Sequence, residues 1–118
     1  MARVANEEDK HQVAIAQWLS YKAPDMCWFH PANEGLRSPA MGAWLKKKGM
    51  RPGVSDFIFL QPANGYHFLV IELKATKAKK PTAYQLEFIA HVKRAGGWGE
   101  VCYGSDETIK FIEKFYGL

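Results

Sequence analysis

The sequence predicts an α/β fold in which a central mixed β-sheet is flanked by helices. The clearest sign is a pair of β-rich runs, residues 54–60 and 66–74, separated by a segment that contains Asn64-Gly65, a dipeptide typical of β-hairpin turns. Helical patterns lie before and after this pair. The predicted order is therefore α, β, short α, β, β, α, β, with a final helix.

Capping and breaking residues bound the first elements. Asn6 suits an N-cap and three acidic residues follow it, so we predict a first helix that runs to about Lys22. Residues 26–30 have the pattern of a buried strand. Residues 39–48 are predicted to form a short helix that ends at Gly49.

The second half of the chain is bounded in the same way. Thr82 opens a predicted helix that ends near Gly96-Gly97. Residues 98–103 form the next predicted strand. Ser105 is the predicted cap of the last helix.

The length of 118 residues suits one domain, residues 1–118. The apolar share of 47% is enough for a core and indicates a globular protein. The chain has no apolar run long enough to span a membrane and no apolar stretch typical of a signal peptide, so a cytoplasmic location is expected. Cys27 and Cys102 are predicted to be buried thiols. The four histidines are too scattered for a structural zinc site.

Basic residues are concentrated in the middle of the chain. The stretch from residue 37 to residue 80 carries a net charge of +7, although the whole chain carries only +4. A polyanion-binding surface and a solvated lysine-rich face both explain this pattern. The basic residues of this stretch are Arg37, Lys46, Lys47, Lys48, Arg51, Lys74, Lys77, Lys79 and Lys80.

Two acidic residues, Asp56 and Glu72, lie in the apolar strands of the hairpin. Side chains alternate along a strand, so Glu72 and Lys74 project from the same face. Both faces of their strand are largely apolar, as in a covered central strand. Charged groups in such a place are unfavourable unless they are paired or bound to something.

The length of the hairpin loop decides whether Asp56 meets Glu72. A three-residue loop, residues 63–65, pairs Pro62 with Tyr66, so facing residue numbers add up to 128 and Asp56 faces Glu72. A loop of two or four residues moves Asp56 to the opposite face unless a bulge intervenes.

Two neighbouring carboxylates repel each other, so one takes up a proton or a cation lies between them. A hard divalent cation fits such a pair, polarises a phosphoryl oxygen and acidifies a bound water. Lys74 would position that water or offset charge in the transition state. A metal-free ion pair between the acids and Lys74 explains the spacing equally well.

Three further residues have both a structural and a functional interpretation. Glu8 and Gln12 share a helical stripe with apolar residues, which aims them toward the sheet, although an acid at a helix start also compensates the helix dipole. Thr82-Ala83-Tyr84-Gln85 matches a capping box, which by itself explains Gln85.

Read in order, these residues resemble a known family. Asp56 followed by Glu72-Leu73-Lys74 resembles the D…(D/E)-x-K signature of the PD-(D/E)XK nuclease superfamily, whose core is the restriction-endonuclease-like fold. With Glu8 and Gln12 in the first helix, the glycine-led strand at Gly53, and Gln85 in the helix after the signature, the chain looks like a stand-alone phage or bacterial VRR-NUC (virus-type replication-repair nuclease) protein. Ser55 stands where the superfamily name expects proline.

The resemblance implies a Mg²⁺- or Mn²⁺-dependent DNA endonuclease, structure-specific for branched DNA such as four-way (Holliday) junctions and homodimeric, in a bacterial or phage-infected cell. It implies metal ligation by Asp56, Glu72, the Leu73 carbonyl and Glu8, and water activation by Lys74. Gln85 and Gln12 would support the site. The residues expected to grip DNA phosphates are Arg37, Lys46, Lys47, Lys48, Arg51, Lys77, Lys79 and Lys80.

Two other functions remain compatible with the sequence. One is a nucleic-acid-binding protein without catalysis, on a degenerate nuclease fold. The other is a structural ion pair in a protein-interaction domain. The aromatic residues Trp44, Tyr84 and Trp98 are expected to pack in the core, with stacking on an opened base as the alternative.

Overall fold

A computed structural model describes residues 6–32 and 38–118, and there the chain forms four helices and four strands in the predicted order. The predicted α/β class is therefore confirmed. The elements are α1 (Glu7–Lys22), β1 (Trp28–Phe29), α2 (Pro39–Lys47), β2 (Phe57–Phe59), β3 (Leu69–Lys74), α3 (Ala83–Arg94), β4 (Trp98–Tyr103) and α4 (Gly104–Tyr116).

The strands form one mixed sheet in the order β1-β2-β3-β4. The first two pairs are antiparallel, and β3 pairs with β4 in parallel through the crossover helix α3. Helices α1 and α4 cover one face, where Ile15 and Ile112 pack against Ile71. Helix α3 covers the other face, where Ile89 packs against Val70. All six residues of β3 are buried, as predicted for a central strand.

The hairpin has the register in which Asp56 faces Glu72, and it reaches this register through a two-residue turn with a bulge, one of the alternatives that the sequence left open. Phe57 pairs with Ile71, so facing residue numbers add up to 128. The turn itself contains two residues, Asn64 (φ 53°) and Gly65 (φ 80°), between Ala63 and Tyr66, which hydrogen-bond to each other. The alternative with a three-residue loop, in which Pro62 pairs with Tyr66, is therefore wrong. An extra residue within residues 60–62 acts as a bulge and restores the register that a two-residue turn alone would lose.

Several local predictions are wrong for reasons of tertiary structure. The strand predicted over 26–30 is only Trp28–Phe29, and Phe29 is half-exposed because β1 lies at the sheet edge. Cys27 is exposed, whereas Cys102 is buried as predicted. Trp44 and Tyr84 are also exposed, while Trp98 packs against the core as expected.

The start of α4 is held by another helix rather than by the predicted cap, Ser105. The N-cap is Tyr103, which makes no side-chain cap hydrogen bond. Instead, the Ser105 backbone N–H donates to Nδ1 of His11, on α1, at 2.9 Å. His11 therefore ties the first helix to the last.

No helix within residues 6–32 and 38–118 is both long and apolar enough to cross a membrane.

Candidate functional site

One cleft brings together four of the five predicted catalytic residues. It has a volume of about 430 Å³ and opens where the end of β3, the start of β2 and the first turns of α1 and α3 meet. Lys74, the fifth residue, reaches the cleft through its ion pair with Glu72. The polar residues that line the cleft are Glu8, Lys46, Arg51, Asp56, Glu72 and Gln85.

Asp56 is fixed from two sides. Its Oδ2 accepts a hydrogen bond from the Leu73 backbone N–H at 2.7 Å, which fastens the carboxylate to β3. Its backbone carbonyl accepts a hydrogen bond from Nδ1 of His30 at 2.7 Å. Burial raises the pKa of Asp56 above its ordinary value, and the contacts with Glu72, Leu73, His30 and Lys74 offset only part of that rise.

His30 is a site residue that the sequence did not single out. It follows β1, and the antiparallel pairing of β1 with β2 brings it to Asp56. A carbonyl oxygen only accepts hydrogen bonds, so Nδ1 of His30 carries the proton. The sequence shows only that His30 lies at the end of a predicted strand. That position points to Asp56 only when β1 is known to pair with β2.

Glu72 is a buried carboxylate at the cleft with one unsatisfied oxygen. Its side chain is 1% exposed, and its Oε2 lies 3.6 Å from Nζ of Lys74. Its Oε1 has no hydrogen-bond partner among the described residues. Burial, together with the charge and proximity of Asp56, raises the pKa of Glu72 to about 9, and Glu8 contributes to that rise.

This arrangement fits a hard divalent cation better than a metal-free ion pair. An ion pair with Lys74 leaves Oε1 of Glu72 buried and unsatisfied. A proton held between the carboxyl groups of Asp56 and Glu72 relieves their repulsion when no cation is bound, and a divalent cation would relieve it with both groups ionised and would use that oxygen. Within residues 6–32 and 38–118, no three His, Cys, Asp or Glu side chains converge closely enough to hold an ion. Two carboxylates therefore form the centre of the site in this conformation.

Helix α1 supplies Glu8 but caps itself with other residues. Asn6 and Asp9 form the capping box, so the first turn does not depend on Glu8. Glu8 lines the cleft, as the stripe on α1 predicted. Gln12 is half-buried one turn further along but does not contribute to the cleft lining.

Gln85 both caps α3 and lines the cleft, so the structural and the functional interpretation each describe part of its position. Its Oε1 accepts the Thr82 backbone N–H at 2.8 Å, and its own N–H donates to Thr82 Oγ1 at 3.2 Å, so the capping box is formed. The same residue lines the cleft. Because the cap occupies Oε1, the amide Nε2 is the donor that Gln85 can offer to the cleft.

Gly53 allows the chain before β2 to press against this helix start. Its φ is +79°, and a Cβ at this position would collide with the Tyr84 carbonyl group and lie 2.7 Å from the Gln85 nitrogen. Only glycine meets both conditions without strain. The close approach fixes the distance between the Asp56 strand and the Gln85 helix.

The predicted phosphate-binding residues divide into three groups. Lys46 and Arg51 line the cleft directly. Five others are exposed, Lys47 and Lys48 at the end of α2, and Lys77, Lys79 and Lys80 in the loop before α3. Arg37, with the neighbouring Asn33 and Glu34, lies outside the described residues.

Comparison with known proteins gives one family. The model of the VRR-NUC domain matches residues 6–106. The chain belongs to the VRR-NUC family. A solved structure described as a VRR_NUC domain protein has a TM-score of 0.81 against this chain at 25% identity, and the match covers 98% of this chain and 93% of that one. A comparison with curated proteins gives no significant match.

Membership of the VRR-NUC family has direct consequences for the cleft. The VRR-NUC fold is a nuclease-type fold, and a nuclease domain implies DNA as the substrate. Nucleases of the VRR-NUC family are in general metal-dependent. Among the described residues, the cleft with Asp56, Glu72, Lys46 and Arg51 is the candidate site for that chemistry.

Proposed function

We propose that the protein is a Mg²⁺- or Mn²⁺-dependent DNA endonuclease whose active site is the Asp56–Glu72 cleft. The observation that supports this most is Oε1 of Glu72, a buried carboxylate oxygen without a partner among the described residues, directly beside the partly buried carboxylate of Asp56. A buried oxygen of this kind is unfavourable unless a ligand uses it.

Four groups would hold the ion: the carboxylates of Asp56, Glu72 and Glu8, and the backbone carbonyl of Leu73. When bound, a divalent cation supplies Lewis acidity toward a phosphoryl oxygen and makes a bound water more acidic. The Leu73 N–H already holds Asp56 in place, so this carboxylate needs little reorganisation before a ligand binds.

Lys74 would orient the attacking water and offset the negative charge that develops on the phosphate. Its side chain is 11% exposed, and its ammonium lies 3.6 Å from Glu72, so it is held at the edge of the carboxylate pair. A fixed cation in a site of low polarity stabilises a developing charge more than a mobile surface lysine does. Gln85 would add a hydrogen bond from its Nε2, and Gln12 would support α1.

The basic residues define how DNA would approach. Lys46 and Arg51 at the cleft would bind the phosphates next to the scissile bond. The other exposed lysines would bind phosphates further along the strand, and we place Arg37 with them. We propose that the substrate is branched DNA such as a four-way junction. Two cuts at a junction suit a homodimer, because two-fold symmetry presents two identical sites.

The remaining features follow the same proposal. Residues 1–118 would act as a single nuclease domain. The expected location is the cytoplasm of a bacterium or a phage-infected cell. Light scattering tests the dimer, and a monomer at working concentration would contradict resolution of junctions by paired cuts.

The decisive experiment measures cleavage of branched DNA with Mg²⁺ or Mn²⁺, with EDTA as the control for metal. Asp56→Asn and Glu72→Gln should each reduce cleavage by at least about 1000-fold, because each removes a charge from the cation site. Asp25→Asn, which changes an exposed aspartate after α1, should cleave like the wild type. Full activity in both cleft variants would refute the proposal.

A second readout does not depend on activity. Mn²⁺ should raise the melting temperature of the wild type, because a ligand that binds only the folded state stabilises it. The same ion should have little effect on Glu72→Gln. An equal shift in both proteins would place the metal elsewhere.

The alternative is a DNA-binding protein without catalysis. The lack of a third converging ligand among the described residues favours it. It predicts binding of branched DNA that EDTA does not abolish and no cleavage with either metal. The cleavage experiment therefore separates the two functions.

A further inference from the structure

A second, smaller cavity adjoins the catalytic cleft. It has a volume of about 190 Å³ and is lined by Arg51, Pro52, Tyr84, Glu87 and Phe88. Arg51 and Pro52 also line the cleft, so the two spaces share a wall. Pockets for drug-sized ligands measure about 300–1,000 Å³, so this cavity suits a single planar ring system rather than a larger ligand.

Flat groups form most of its walls. Tyr84 and Phe88 are four residues apart on α3, which places them on the same side of the helix. The guanidinium of Arg51 lies over the Phe88 ring, 5.8 Å from its centroid. This distance is within the range of a cation–π contact, so the cation is held beside the rings.

Tyr84 has a fixed backbone although its side chain is 61% exposed. Its carbonyl group packs against Gly53, where no Cβ could fit. The fold therefore leaves the Tyr84 ring exposed, while the contact with Gly53 holds the Tyr84 backbone in place. An exposed aromatic ring on a rigid support, next to a candidate DNA-cleaving site, is an arrangement that suits stacking rather than core packing.

We propose that this cavity binds one unpaired nucleobase of the DNA strand whose phosphate occupies the cleft, with Tyr84 as the stacking surface. The proposal rests on the proposed nuclease function and deepens it, because it identifies the substrate as DNA with an unpaired nucleotide beside the cut. Base and phosphate are linked through one sugar, and Arg51 adjoins both spaces, so one nucleotide can occupy them together. The base of a fully paired duplex stays in its stack and does not reach Tyr84.

The charge of the surroundings supports a nucleotide over a protein partner. Arg51 forms part of the shared wall and Lys46 lines the cleft, and both suit phosphate. Glu87 offers a carboxylate at the cavity, and a carboxylate can accept a hydrogen bond from an exocyclic amino group of a base.

The test uses the full chain and splayed-arm DNA with Ca²⁺ in place of Mg²⁺, and measures binding by fluorescence anisotropy. One DNA carries normal bases, and a matched DNA is abasic at the two unpaired nucleotides next to the branch. The wild type should bind the normal DNA roughly 5- to 150-fold more tightly than the abasic DNA, since stacking of one base on an aromatic ring contributes about that factor.

Three variants isolate the ring of Tyr84. Tyr84→Ala should weaken binding of the normal DNA by the same factor and leave binding of the abasic DNA unchanged. Tyr84→Phe keeps the ring and should bind like the wild type. Tyr21→Ala is the control, because Tyr21 is 87% exposed near the end of α1, far from the cavity along the chain.

The outcomes separate this inference from the proposed catalysis. Equal losses on both DNAs in Tyr84→Ala, no loss on either, or no binding by the wild type would overturn the nucleobase site. A base-dependent loss without any Mg²⁺-dependent cleavage by the wild type would support the site and refute the nuclease proposal.

Discussion

The two ends of β3 are both buried, but they are stabilised in different ways. At the Leu69 end, aromatic rings fill the space, and the rings of Tyr66 and Trp98 have centroids 5.3 Å apart. At the Lys74 end, Glu72 is equally buried but keeps an oxygen without a partner among the described residues and a pKa of about 9. The first end is stabilised by apolar packing. The second end contains a buried carboxylate oxygen that a bound ligand would satisfy.

The comparison predicts that removing an apolar ring lowers stability, whereas removing a cleft charge abolishes cleavage and leaves stability nearly unchanged. Phe59→Ala should lower the free energy of unfolding by about 3–5 kcal/mol, because Phe59 is fully buried and contacts three other aromatic rings. Asp56→Asn, three residues earlier, should change it by less than about 1 kcal/mol while abolishing cleavage. Urea unfolding monitored by circular dichroism measures both. Similar losses in the two variants would contradict the division into a packed end and a functional end.

Two glycines test how tightly the cleft is assembled. Gly53 and Gly65 have nearly equal φ angles, +79° and +80°, but a Cβ at Gly65 would meet nothing within 4 Å. Gly65→Ala should therefore lose only the conformational term of about 1–2 kcal/mol. Gly53→Ala should lose a further 1 kcal/mol or more, roughly, because the chain must move away from Tyr84 and Gln85. The difference between the two variants, measured by urea unfolding, isolates the packing of β2 against α3; equal losses would show that this contact is unimportant.

The pH dependence of stability tests whether burial of the ionised Glu72 carboxylate opposes folding. Its pKa is raised from 4.5 to about 9, so the fold favours the protonated form. Without metal, the contribution of Glu72 to stability is therefore greatest below about pH 4.5 and declines as the pH rises toward 9. Glu72→Gln cannot ionise, so with EDTA present it should be more stable than the wild type by a few kcal/mol at pH 8, and the difference should disappear toward pH 4.

Thermal unfolding at a series of pH values measures this effect. Glu113→Gln, on α4, is the control and should follow the wild-type curve. Parallel curves for wild type and Glu72→Gln would show that the burial of this carboxylate does not oppose folding.

The smallest expected effect concerns Ser55, which stands beside Asp56. Its side chain is 1% exposed, and its hydroxyl has no hydrogen-bond partner among the described residues. Ser55→Ala removes an unsatisfied buried group and should raise the free energy of unfolding by about 1 kcal/mol, with cleavage unchanged. A loss of stability would mean that the hydroxyl is satisfied in solution, for example by water.

Local patterns were enough to predict much of this fold. The starts of α1 and α3 follow from the caps at Asn6 and Thr82, whereas the register of the hairpin was one of several alternatives that depended on the loop length. The family resemblance then ordered Glu8, Asp56 and Glu72 into one site. These residues do line one cleft, while their roles in catalysis remain predictions.

The features that could not be predicted depend on contacts between distant segments. His30 meets Asp56 only because β1 pairs with β2, and His11 holds the start of α4 from a helix 94 residues earlier. Tyr84 is exposed because the approach of Gly53 buries its backbone and not its ring. None of these contacts leaves a periodic pattern in the sequence.

The bulge within residues 60–62 limits how this protein can evolve. Surface loops ordinarily tolerate the gain or loss of single residues. Here, losing one residue before the Asn64-Gly65 turn would rotate Asp56 to the far side of the sheet, away from Glu72. A hairpin loop that touches neither the cleft nor its ligands is therefore expected to keep its length through divergence, even where its amino acids change.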